Sequence, residues 1–164
     1  MGLRTRNMTS IYLFRDGNVL LLYRQGSRVA NNVWMGSAGG HFEEHELNDP
    51  EACVLRELHE ELGLERNDIE GLCLRYTTLK REKDEVRQNY FFFAELKRTV
   101  STDLNSTEGI SRWFPVDEIG NLEMPYSAKY VVEHYIETGK FTSQVYVGIA
   151  DGCEVKFLAI PEYQ

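Results

Sequence analysis

The chain has few cysteines, few prolines, a shortage of basic residues and no long apolar run. Cys53, Cys73 and Cys153 are an odd number with no close pair among 164 residues. That argues against a disulfide framework and against zinc, and for reduced thiols in a cytoplasmic protein. No apolar stretch reaches membrane-spanning length, so no membrane partner is expected. The start, Met1 to Asn7, lacks the apolar core of a signal peptide. Met1-Gly2 opens like a myristoylation site, but Arg6 stands where Ser or Thr is expected. Eighteen Lys and Arg against 26 Asp and Glu give a formal charge of −8. Such a balance argues against a protein that coats a nucleic acid polymer, because phosphate contacts need a basic surface. Small polyanionic substrates would have to arrive with metal.

Repeats, low-complexity segments and linkers are also missing. One domain over residues 1–164 is therefore expected, with residues 1–7 a flexible N-terminus. The length allows a sizeable core, and 42% hydrophobic with 27% charged residues is ordinary for a globular chain. Residues 8–15 and 19–25 read as a hairpin turning at Asp16-Gly17-Asn18. A loop rich in Gly, Ala, Ser and Asn runs from Gly26 to Gly40, interrupted by Val33-Trp34-Met35. Residues Pro50 to Leu62 read as a helix, with Asp49 as N-cap, Pro50 at its first position and Gly63 as its stop. Strands are expected at 68–79 and 88–96, joined by the charged stretch Lys80 to Arg87, and at Ile110 to Phe114 before a turn at 115–118. Ala128 to Glu137 reads as a second helix. Gln144 to Ile160 alternates around Asp151-Gly152 as a hairpin. Strands and helices mixed in this order predict one α/β domain.

Within the first helix, Glu57, Glu60 and Glu61 are spaced i, i+3 and i+4. At about 100° per residue they fall at roughly 0°, −60° and +40°, one narrow arc. Ala52, Leu55, Leu58 and Leu62 fall on the opposite side and can pack on a core. The acidic arc is either a solvated helix face or a cation site. Three details favour the cation. Glu57 and Glu61 repel each other at i, i+4 spacing. Glu60 and Glu61 stand in the last turn, where the helix dipole favours positive charge. Gly39-Gly40 upstream lets backbone approach a ligand closely. Hard cations such as Mg²⁺ take oxygen ligands, commonly a few carboxylates plus substrate phosphates.

The segment from Gly40 to Leu64 resembles the signature of the Nudix hydrolases: Gly, five residues, Glu, seven residues, Arg-Glu-aliphatic-x-Glu-Glu-x-Gly-aliphatic. Gly40, Glu46, Arg56, Glu57, Leu58, Glu60, Glu61, Gly63 and Leu64 match every fixed position. The spacer between Glu46 and Arg56 is nine residues instead of seven, the extra two being placed among Leu47, Asn48 and Asp49. His45 stands where the family often has glycine. The resemblance covers this box strongly and residues 10–120 loosely. It implies an α/β/α sandwich around a mixed sheet, and hydrolysis of a nucleoside diphosphate linked to some group X. It implies Mg²⁺, with Mn²⁺ as a substitute, held by Glu57, Glu60, Glu61 and the Gly39 carbonyl. Arg56 would orient these carboxylates, with Glu46 pairing to that arginine and Gly40 supporting the loop. A homodimer is among the states the resemblance implies.

Attack on a phosphoanhydride is helped mostly by positioning and charge neutralisation, and the general base remains open between Glu57 and Glu108. Glu108 lies in Ser106-Thr107-Glu108-Gly109, where related enzymes often carry a catalytic or metal-binding glutamate. Arg24 resembles a position that reaches a substrate phosphate. His41 is a substrate-contact candidate, while His59 and His134 read as structural or exposed, since hard cations rarely choose imidazole. Tyr126, Trp34 and Tyr90 are candidates for stacking on a base. Trp113 to Glu118 and Met124 to Lys129 look similar to bacterial 8-oxo-dGTP or (d)NTP pyrophosphatases. The proline and tyrosine that often follow the box in ADP-ribose and dinucleotide hydrolases have no match in Thr78 to Glu82, which favours a nucleoside triphosphate. The rivals are a catalytically silent nucleotide-binding module and a hydrolase of ADP-ribose or a nucleotide sugar. A silent module has no reason to keep Arg56, Glu57, Glu60 and Glu61 together.

Overall fold

The computed structural model describes residues 2–26 and 31–163. Alternating side chains draw out β1 (Arg4–Arg15), which reverses into β2 (Asn18–Arg24) through Asp16 and Gly17. Both turn residues have positive φ, 49° and 76°, the backbone twist that two-residue hairpins require. A short β3 (Val33–Met35) follows, then a 3-10 turn at Glu44–Glu46 and α1 (Pro50–Leu62). The long hairpin of β4 (Ile69–Glu82) and β5 (Glu85–Leu96) leads to β6 (Ile110–Pro115). The chain ends with α2 (Tyr126–Glu137), β7 (Tyr146–Ala150) and β8 (Val155–Ala159).

All eight strands form one sheet in the order β3-β2-β1-β5-β4-β7-β8, with β6 pairing β2. The pairs β1–β5 and β4–β7 are parallel and the others antiparallel. This is the expected mixed sheet. Strand alternation divides the core into two layers. Tyr12, Val19, Leu21, Phe91 and Phe93 point to one face, where Ala128, Val131 and Val132 of α2 cover them. Ile11, Leu13, Leu20, Phe92 and Ala94 point to the other, under Val54, Leu58 and Leu62 of α1. No helix among the described residues is long and apolar enough to cross a membrane.

Several expectations change. Arg4 to Asn7 are strand instead of a flexible tail, pairing in register with Glu85 to Gln88. The stretch Lys80 to Arg87 is almost wholly strand, turning only at Lys83 and Asp84. Its ion pairs run along the strands and across them: Lys80 meets Glu82 at 2.5 Å within β4, Arg87 meets Glu85 at 2.7 Å within β5, and Arg87 meets Glu82 at 3.0 Å between the two. The Arg87–Glu82 pair joins opposite charges on neighbouring strands, which attract, and a charged run can therefore be strand and not connector. Val33–Met35 is a strand within the expected loop, because it pairs with Leu22–Arg24. Residues 27–30 of that loop, with residues 1 and 164, lie outside the described residues. Ala52, expected on the packed side of α1, is exposed, and Cys53 and Val54 are buried in its place.

Candidate active site

The ends of α1 are closed as its sequence dictates. Ala52 N donates to the Asp49 carboxylate at 3.0 Å, satisfying one of the first-turn amides. Gly63, at φ 67°, is left-handed and returns its N–H to His59 O at 2.8 Å. A second segment secures the same end, since Thr107 N donates to Glu61 O at 3.1 Å and its hydroxyl to Glu60 O at 3.4 Å. The loop carrying Glu108 is thereby fixed to the helix carrying the acidic arc.

The segment from Ala38 to His41 lies against β1. Ile11 N donates to Ala38 O at 2.9 Å and Thr9 N to Gly40 O at 2.8 Å. Between them, the Gly39 carbonyl has no hydrogen-bond partner among the described residues. Gly39 has φ 155°, and a Cβ there would overlap the Thr9 carbonyl. A Cβ on Gly40 would overlap the Glu57 carboxylate. Two glycines therefore let this segment lie against the Thr9 backbone on one side and the Glu57 carboxylate on the other.

Arg56 organises the acids. Its Nε donates to Glu46 Oε1 at 2.7 Å and its Nη2 to Glu46 Oε2 at 3.0 Å, a two-pronged pair. Its Nη1 reaches Glu57 Oε1 at 2.9 Å and Glu60 Oε2 at 3.1 Å, and Nη2 also donates to His41 O at 3.0 Å. Hydrogen bonds from Arg56 pull the Glu46 carboxyl down to about 2. Glu57 and Glu61 go the other way. Burial raises the Glu57 carboxyl, against the pull of Arg56. Burial also raises Glu61 to about 7, opposed by the Gly39 amide and reinforced by the charges of Glu57 and Glu108. Glu61 is 6% exposed, and the Gly39 N–H at 3.4 Å is its hydrogen-bond donor. Glu57 has Arg56 as its counter-charge, whereas Glu61 has no ion-pair partner among the described residues.

These groups line an open cleft of about 430 Å³, which also receives Arg24, His41, Phe42 and Glu108. Arg24 and Glu108 face each other at 3.3 Å. His41 Nε2 lies 3.0 Å from Arg6 Nη2, and burial followed by the Arg6 charge lowers its pKa, favouring a neutral ring that accepts from the arginine. The structure thus brings Gly39, Gly40, Glu57, Glu60, Glu61, Arg56, Glu46, Glu108, Arg24 and His41 together.

Tyr126 stands apart. It opens α2, accepts from Gly152 N at 3.0 Å and lies under Lys80, so it braces the β7–β8 turn and does not line the cleft. Trp34 packs between Tyr23 and Phe114, at 4.9 and 4.6 Å between ring centres. Tyr90 packs on Phe42 at 5.3 Å. His59 and His134 are away from the cleft, His134 paired with the Tyr76 hydroxyl at 2.7 Å. Sequence reasoning missed Thr107 and Phe42. Phe42 follows Gly40-His41 directly, and its nearness to the box was the available signal.

A second acidic group, Glu43, His45 and Glu46, has ligand atoms all within 4.8 Å of one another. Both Glu46 oxygens are already held by Arg56, and Oε2 also accepts from Glu43 N at 2.9 Å. The arc of α1 with the free Gly39 carbonyl suits a hard cation better. Its donors are all oxygens, and its raised carboxyls are those a cation would relieve.

The family model for the NUDIX domain matches residues 4–135. No curated protein matches the chain. Among solved structures, the mutator MutT protein from Bacillus halodurans superposes with a TM-score of 0.64 at 19% identity, covering 96% of this chain and 99% of its own. The MutT protein from Methanosarcina mazei gives 0.65 at 20% identity, covering 85% and 99%. The Nudix hydrolase RenU from M. smegmatis gives 0.61 at 19%, covering 86% and 88%. At these identities the likeness is one of fold.

Proposed function

The chain belongs to the Nudix family, hydrolases of phosphoanhydrides, and from that premise we propose a divalent-metal-dependent pyrophosphohydrolase whose substrate is a nucleoside diphosphate linked to X. A (d)NTP such as 8-oxo-dGTP, converted with water to a monophosphate and pyrophosphate, is the substrate we favour. The observation that carries this reading is the buried Glu61 carboxylate, which accepts from the amide of Gly39, a residue whose own carbonyl accepts no hydrogen bond among the described residues.

Gly39 O, Glu57, Glu60 and Glu61 would hold the cation, Mg²⁺ with Mn²⁺ as a substitute. A divalent cation held there would supply neutralisation of phosphate charge and a lowered pKa for an attacking water. The chain's own groups do the rest. Arg56 aims the Glu57 and Glu60 carboxylates through one nitrogen, and Glu46 fixes that guanidinium from behind. Arg24 is placed to bind a substrate phosphate. Either Glu108 or Glu57 takes the proton of the attacking water, and both line the cleft.

The test is turnover. Protein with Mg²⁺ is incubated with 8-oxo-dGTP, the ordinary dNTPs and NTPs, ADP-ribose, a dinucleoside polyphosphate and a nucleotide sugar, and products are identified by mass spectrometry. Cleavage of one class, lost with EDTA, names the substrate. No cleavage of any, in protein that still binds nucleotide, moves the reading to a silent binding module.

A further inference from the structure

We propose that the pocket beside the carboxylate face is a second anion subsite, which takes a phosphate-bearing group of the substrate beyond the anhydride that is cleaved. Its relation to a substrate rests on the hydrolase reading above, whereas its chemistry stands on the pocket alone. The pocket measures about 380 Å³ and shares Arg24, His41 and Glu108 with the acidic cleft. One extended molecule can therefore occupy both. Three guanidiniums, Arg6, Arg24 and Arg87, line it in a chain whose formal charge is −8. Among the described residues Met8 is its one apolar side chain. A subsite for a nucleobase would offer aromatic or aliphatic walls, and this one offers planar hydrogen-bond donors suited to phosphate.

Strand register brings two of these guanidiniums together. Arg6 and Arg87 are direct neighbours on parallel β1 and β5, and like charges placed side by side repel. Their carboxylate partners stand outside the pocket lining. Glu85 and Glu82 hold Arg87 by Nε at 2.7 Å and Nη2 at 3.0 Å, and Glu85 reaches Arg6 only at 3.9 Å. Nη1 of Arg87 has no ion-pair partner among the described residues. An anion between the two arginines would add to the partial neutralisation by Glu85 and occupy the remaining donors.

The experiment measures binding of inorganic phosphate and tripolyphosphate to the full chain in EDTA, by calorimetry and by ¹H–¹⁵N spectra. Without metal the acidic cleft repels anions, so binding reports the arginine pocket. Saturable binding that shifts the Gln25 and Gly26 amides is expected. It should weaken by about tenfold or more in Arg6→Gln/Arg87→Gln and should not weaken in Glu60→Gln. Arg6→Gln alone is the second variant should the double one unfold. Absence of binding by either anion, or binding undiminished in a folded variant, overturns the subsite. With active enzyme, phosphate raising KM at constant kcat supports a pocket for the substrate's own phosphate. Lowered kcat at constant KM would mean that free phosphate binds there and would overturn the substrate role. Loss of the hydrolase reading would show separately, as no Mg²⁺-dependent turnover.

Discussion

Glu46 and Arg56 are joined through both oxygens and two nitrogens, at 2.7 and 3.0 Å, with the Glu46 side chain 2% exposed. The same guanidinium holds Glu57 and Glu60. Arg56→Ala leaves a buried carboxylate without its counter-charge and should lower stability by roughly 3 kcal/mol. Arg56→Lys, a point charge without a fork, should recover only part of that. Urea unfolding of the three proteins checks it, and equal midpoints for wild type and Arg56→Ala would refute the structural role.

Glu60 is half exposed at the end of the acidic arc, so its removal threatens chemistry more than folding. Glu60→Gln should abolish turnover with an unchanged melting temperature. A rate within about tenfold of wild type would take Glu60 out of the metal shell.

Glu108→Gln separates the two candidate bases. If Glu108 takes the proton, kcat should fall by roughly 10²-fold or more. A rise in KM with kcat preserved would instead limit Glu108 to orienting Arg24, 3.3 Å away.

The two adjacent glycines should fail differently. Gly40→Ala pushes only on the flexible end of Glu57, so activity should drop by up to about 10²-fold while the fold holds. Gly39→Ala meets the Thr9 backbone at a φ of 155° and should cost more than about 1 kcal/mol of stability. Thermal melts beside initial rates distinguish the pair.

Protons compete with metal at raised carboxyls. Glu61 sits at about 7 in the metal-free protein and Glu57 is raised in the same direction. Between the ordinary 4.5 and about 7, the folded state binds more protons at Glu61 than the unfolded chain, so this group's contribution to stability falls as pH rises through that window. A bound cation reverses that loss by taking the deprotonated form. The melting-temperature gain from Mg²⁺ should therefore be larger at pH 8 than at pH 5.5, and Glu61→Gln should flatten the difference. A gain independent of pH in wild type would argue against Glu61 as a ligand.

Periodicity and capping made the local parts of this molecule readable. The bounds of α1, the turn at Asp16-Gly17 and the hairpin around Asp151-Gly152 all follow from residues next to one another. The acids were readable as well, because the i, i+3, i+4 spacing already places them on one face. What escaped depends on pairing across the chain. Nothing near Arg6 announces that Arg87 will lie beside it, since parallel register between segments some eighty residues apart is set by burial in the whole sheet. The charged stretch Lys80 to Arg87 misled for the same reason. Its Arg87–Glu82 pair forms only once β4 and β5 are side by side. Tyr126 had the right chemistry for stacking and the wrong address, because α2 packs on the face of the sheet away from α1.

The last carbonyls of α1 find their donors in Thr107, one residue before Glu108. Helix and loop are thus geared together: swinging Glu108 outward strips the hydrogen bonds from the turn that bears Glu60 and Glu61 and lets that turn fray. An insertion or deletion in this loop would be felt first as a loosened grip on the cation, before any change in the acid it carries.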